Sequence, residues 1–66
     1  MRNWRLYAKF KGQKQFKPVD WTTGKRVTNL IYASMFTQEE KETIEKVDIP
    51  LNPDIKFEFR YIKNGL

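Results

Sequence analysis

The chain has no cysteine and no histidine. Without cysteine there is no disulfide to stiffen a small fold, no thiolate nucleophile and no soft-metal site. Without histidine it also lacks the commonest general base and the commonest metal ligand. The lone serine, Ser34, has no imidazole to activate it, so neither an enzyme nor a cofactor or metal site is expected. No apolar run approaches the roughly 20 residues that span a bilayer. Arg2 is followed by no apolar stretch, so no secretory signal and no membrane partner are expected, and the expected location is the cytoplasm. Glycine and proline number three each, too few for a linker or a low-complexity segment. The 66 residues therefore make one small α+β domain, near the size at which only about 60% of the unfolded surface can be buried.

Against these absences stand ten aromatic residues: Trp4, Tyr7, Phe10, Phe16, Trp21, Tyr32, Phe36, Phe57, Phe59 and Tyr61. They are the expected core, because each offers a large apolar area to a chain short of other means of stabilisation. Charge is distributed unevenly. Residues 1–26 carry eight Lys or Arg against the single acid Asp20, a local +7, whereas the other forty carry five bases and seven acids, a local −2. Like charges gathered on one surface repel, so the basic front argues for an anionic partner.

Alternation places Trp4, Leu6, Ala8 and Phe10 on one face of a first strand and Arg5, Tyr7, Lys9 and Lys11 on the other. Residues 55–62 repeat the pattern, with Ile55, Phe57, Phe59 and Tyr61 facing in and Lys56, Glu58, Arg60 and Ile62 facing out. Gly12 marks a turn, Phe16 to Val19 a short second strand limited by Pro18, and Asp20 to Gly24 a second reversal. Residues 26–35 fit a strand or a helix by spacing; their β-branched and aromatic content favours a strand from about Arg26 to Ala33. Thr37-Gln38-Glu39-Glu40 is a capping box. The helix it starts is expected to run to about Val47 and to be ended by Pro50 and Pro53, with Ile49 and Leu51 pinning the following loop to the core. The pattern predicts a β-β-β-α-β domain, one sheet with a single helix packed on one face, its last strand parallel to the third and first.

The first hairpin has two registers. A three-residue loop sets Phe16 opposite Phe10, both buried; a two-residue loop sets it opposite Lys9, so that Arg5, Tyr7, Lys9 and Phe16 share an exposed face. The need for buried aromatics favours the first. Candidate contacts to an anionic partner are Arg5, Tyr7, Lys9, Lys11, Lys14, Lys25 and Arg26, where the cations follow phosphates and Tyr7 stacks on a base. The partner is nucleic acid or an acidic protein surface, although no RNA- or DNA-reading signature is present. Trp21 is read as capping one end of the core; exposed, it would anchor a protein partner. A protein adaptor or homo-oligomer using Trp21 or a strand edge is the alternative function. Glu39, Glu40, Glu42 and Glu45 read as a solvated helix face interleaved with Lys41 and Lys46.

The pattern Tyr7-Ala8-Lys9-Phe10, Phe16, Trp21 and Ala33-x-x-Phe36-Thr37-x-x-Glu40, over residues 6–47, resembles the short accessory proteins of bacteriophages and mobile elements. The resemblance implies a bacterial cytoplasm and a role in engaging host or phage macromolecules. It carries over no binding residue.

Overall fold

Five strands and one helical run make up the computed structural model, which describes residues 1–64. The strands are β1 (Trp4–Lys9), β2 (Lys17–Asp20), β3 (Lys25–Arg26), β4 (Met35–Phe36) and β5 (Lys56–Tyr61). All their pairings are antiparallel. The chain is thus a small α+β domain, as its alternating and capped segments predict.

β1 is central. β5 runs along its whole length on one edge, from Trp4 opposite Tyr61 to Lys9 opposite Lys56. On its other edge Ala8 and Tyr7 face Lys17 and Pro18 of β2, then Arg5 and Trp4 face Met35 and Phe36 of β4. β4 therefore continues the lane that β2 leaves, and the Ser34 N–H donates to the Val19 carbonyl at the join (3.0 Å). Residues 20–34 are an excursion out of that lane. Asp20 opens it: its side chain accepts from the Thr22 N–H and its carbonyl from the Gly24 N–H, with Gly24 at φ 72°.

This excursion overturns the expected strand at 26–33. Only Lys25 and Arg26 pair, with Asp20 and Val19. Asn29 then caps a single 3-10 turn, Leu30–Tyr32, by accepting from the Ile31 N–H. β propensity yields here to the need to turn the chain back to the edge of β1. The turn also reverses direction, so β4 runs antiparallel to β1, and β5 is parallel to β4 but not to the first strand, against expectation. In the first hairpin the pairing of Tyr7 with Pro18 and Ala8 with Lys17 sets Phe16 opposite Lys9, the register not favoured by burial alone.

The helix begins as predicted: Thr37 Oγ1 accepts from the Glu40 N–H at 3.2 Å and Glu40 Oε1 accepts from the Thr37 N–H at 2.8 Å. It outruns its expected end. After α1 (Gln38–Thr43) the chain widens into a π-type turn, Ile44–Asp48, and a last turn, Ile49–Leu51, holds Pro50. The Ile49 N–H reaches back five residues to the Ile44 carbonyl. That widening relieves the carbonyl clash an interior proline otherwise makes, and the missing N–H of Pro50 costs little in the short last turn.

The helix covers one face of the sheet. Leu6, Ala8, Val19, Phe36 and Ile44 are buried there, with Trp4, Ile49, Ile55, Phe57 and Phe59 against them. Phe36 meets Phe59 edge-on at 5.8 Å and Trp21 at 6.0 Å, favourable geometry for aromatic quadrupoles. The expectation of ten core aromatics fails at Phe10, Trp21, Tyr32 and Tyr61, which stay exposed, and at Phe16, which the register sets beside Lys9 on the other face of the sheet. One short helix cannot roof them all.

Candidate nucleic-acid interface on the open sheet face

Among the described residues no helix covers the other face of the sheet. Strand alternation sends Arg5, Tyr7 and Lys9 of β1 to it, and the β5 register sets Arg60, Glu58 and Lys56 directly opposite them. Two of these three cross-strand pairs, Arg5 with Arg60 and Lys9 with Lys56, are therefore of like charge. Directly opposed like charges destabilise a sheet. The third position, Tyr7 opposite Glu58, is flanked on its other side by Pro18.

Two rings lie among the cations. The Arg60 guanidinium carbon stands 3.9 Å from the Tyr7 ring centroid and Lys9 Nζ 5.1 Å from that of Phe16. Cation–π attraction explains both placements. With Arg60 over it and Pro18 beside it, Tyr7 is only 9% exposed, so the stacking plane offered to solvent is the guanidinium. Arg60 Nε also donates to Glu58 Oε2 at 2.7 Å, which raises its pKa further. Arg5 Nε is buried without a hydrogen-bond partner among the described residues, a costly state. Beyond the strand ends a shallow cleft of about 270 Å³ continues the face, lined by Lys9, Lys11, Gly12, Lys56 and Asp54 among others. Gly12, at φ 85°, makes the turn that presents Lys11. Lys14 is exposed in the loop that follows.

Of the residues named from sequence, the structure thus gathers Arg5, Tyr7 and Lys9, with Lys11 adjoining. Lys25 is exposed but lies on β3, opposite Asp20. Arg26 does not belong to the site. It folds over Phe10 and donates from Nε to the Ala8 carbonyl (3.1 Å) and from Nη2 to the Gln15 carbonyl (2.9 Å), so its Nε–Nη2 fork is engaged in tying the chain. Trp21, 38% exposed, packs edge-on to Phe36, and its backbone N–H donates to Ser34 Oγ (2.8 Å). Lys56 and Arg60 were missed as site residues, although alternation along β5 already pointed them outward; the missing information was that β5 lies against β1.

Among the described residues no group of three or more His, Cys, Asp or Glu is placed to hold a metal, and no helix is long and apolar enough to cross a membrane. No protein-family model, curated protein or solved structure matches the chain, so the open face itself carries the functional reading.

Proposed function

We propose that the chain is a non-enzymatic binding module whose open sheet face takes the phosphate backbone of nucleic acid, working in the cytoplasm as an accessory protein of the phage or mobile-element kind. The observation that carries the reading is the pair of like-charge oppositions, Arg5 with Arg60 and Lys9 with Lys56. Each costs stability in the free protein, and a polyanion lying along the β1–β5 seam turns that cost into binding free energy. The rings support nucleic acid over an acidic protein: a base stacks on the Arg60 plane or on Phe16 while phosphates meet Arg5, Lys9, Lys56 and Lys11. An open sheet face with stacking groups suits a single strand, whose bases are free, better than a duplex.

The test is an amide-shift titration of labelled protein with single-stranded and duplex oligonucleotides at two salt concentrations. Shifts confined to Arg5–Lys11 and Lys56–Arg60 that fade as salt rises are expected, with the single strand binding more tightly. No shift with either at low salt removes nucleic acid and directs attention to acidic proteins.

A further inference from the structure

Among the described residues the outer edge of β5 is free: β5 pairs there with β1 alone. Hydrogen-bond directions show which of its residues face outward. The Ile62 N–H donates to the Asn3 carbonyl at 2.6 Å, so Ile62 points toward the β1 side. The Ala8 carbonyl accepts from Arg26 on the opposite side of β1, so Ala8 does not exchange bonds with its β5 neighbour Phe57. Both observations give the same parity. Phe57, Phe59 and Tyr61 direct their backbone N–H and C=O groups outward, and no hydrogen bond among the described residues reaches these groups from that side. A free edge of this kind is a template for another strand.

The residues between them are self-complementary. We propose that a second copy of the chain pairs with this edge, antiparallel, about a two-fold axis through Phe59. Phe59 then bonds Phe59 of the second copy, Phe57 and Tyr61 bond Tyr61 and Phe57, and all the outward groups of β5 are satisfied. The intervening residues fall in the closely spaced, non-hydrogen-bonded positions, about 4.5 Å between Cα atoms, and there Glu58 meets Arg60 of the second copy twice, once on each side of the axis. The short Glu58–Arg60 contact within one chain shows that the side chains reach one another on this face. Tyr61, 61% exposed, gains Phe57 as its cross-strand neighbour. Axes through Glu58 or Arg60 would oppose like charges and pair inward-pointing groups. Axes through Phe57 or Tyr61 keep the parity but overlap the six-residue strand over only three residues and one residue, respectively. An isologous dimer is the closed solution such an edge permits. This inference is independent of nucleic-acid binding.

The test is sedimentation equilibrium from micromolar to millimolar protein on the wild type, on Glu58→Lys, on Arg60→Glu, and on an equimolar mixture of the two variants. The wild type should dimerise. Each variant alone sets like charges across the axis at both 58–60 pairs, so its dimer should be about tenfold weaker. The mixture should recover wild-type affinity, because one chain then carries two cations opposite the other's two anions. That recovery also shows both variants to be folded. A wild type that stays monomeric to millimolar concentration overturns the proposal. So does a dimer indifferent to the variants, which would place the contact elsewhere, for instance on the exposed Leu30–Tyr32 turn.

Discussion

Lys56→Glu should make the protein more stable and a poorer nucleic-acid binder at once. Lys56 stands directly opposite Lys9, so the substitution replaces a like-charge cross-strand pair with an opposite-charge one. Such pairs are worth roughly 0.2–1 kcal/mol each way, and solvent screening at this exposed position brings the swing to about 0.5–1 kcal/mol. For a domain this small that raises Tm by about 2–8 °C. Binding moves the other way. A phosphate contact on a single strand has a salt slope of roughly 0.7, and at about 0.1 M salt one contact therefore contributes about fivefold in affinity. Losing it, and placing an anion beside the remaining cations, should weaken binding about five- to tenfold and flatten the log–log salt slope by about 0.7. Thermal melts and fluorescence anisotropy with a labelled single strand measure the two effects. Lys46→Glu, on the exposed outer side of the helical run, changes net charge equally and should leave the slope unchanged. A Lys56→Glu protein that melts lower, or binds with the same slope as the wild type, refutes the assignment of the open face.

Glu58→Gln removes the acid that β5 places opposite Tyr7 and the partner that holds Arg60 at 2.7 Å; affinity for a single strand should rise about threefold to fivefold by anisotropy. Arg26→Met loses two charge-assisted bonds to the Ala8 and Gln15 carbonyls and should cost about 2 kcal/mol in urea unfolding, with the salt slope of binding unchanged. Thr37→Ala breaks the capping box and should cost about 1 kcal/mol. The Thr37 backbone N–H, with Arg2 nearby, holds the Glu40 carboxyl below its ordinary 4.5. Its folded pKa is the lower one, so its contribution is complete above about 4.5 and fades as pH falls through the folded value. Glu40→Gln keeps the acceptor oxygen and should flatten the acid limb of a stability–pH profile.

Local signals were legible in the sequence wherever local physics decides. Alternation fixed both faces of β1 and β5, and the reciprocal bonds of Thr37 and Glu40 follow from residue types three apart. Elements decided by tertiary contact were not legible. Val27, Ile31 and Tyr32 have strand propensity, but the edge of β1 takes Met35 and Phe36 instead, and the residues between serve to reverse the chain. Pro50 reads as a terminator in any local rule, yet a π-type turn one residue earlier accommodates it. Arg26 and Lys9 look alike as cations in sequence; one is drawn onto two carbonyls and the other is set over Phe16 on the open face by a register difference that no composition records.

The same dependence on register explains why half of the candidate site stayed hidden. The basic front was legible as charge, but a strand of cations alone is an ordinary solvated face, stable and without implication. What distinguishes this one is the second strand laid against it, which meets arginine with arginine and lysine with lysine. A shift of β5 by two residues in one direction would have set Glu58 opposite Arg5, and in the other opposite Lys9, giving a favourable pair in either case. Either shift would, however, take Phe57 and Phe59 from their places opposite Ala8 and Leu6 and break the edge-on contact with Phe36. Core packing therefore holds β5 in the register that opposes the cations, since burial of an aromatic side chain outweighs an exposed charge pair severalfold. The charge conflict is a consequence of the hydrophobic face, and an anion bound on the open side would relieve it without disturbing the core.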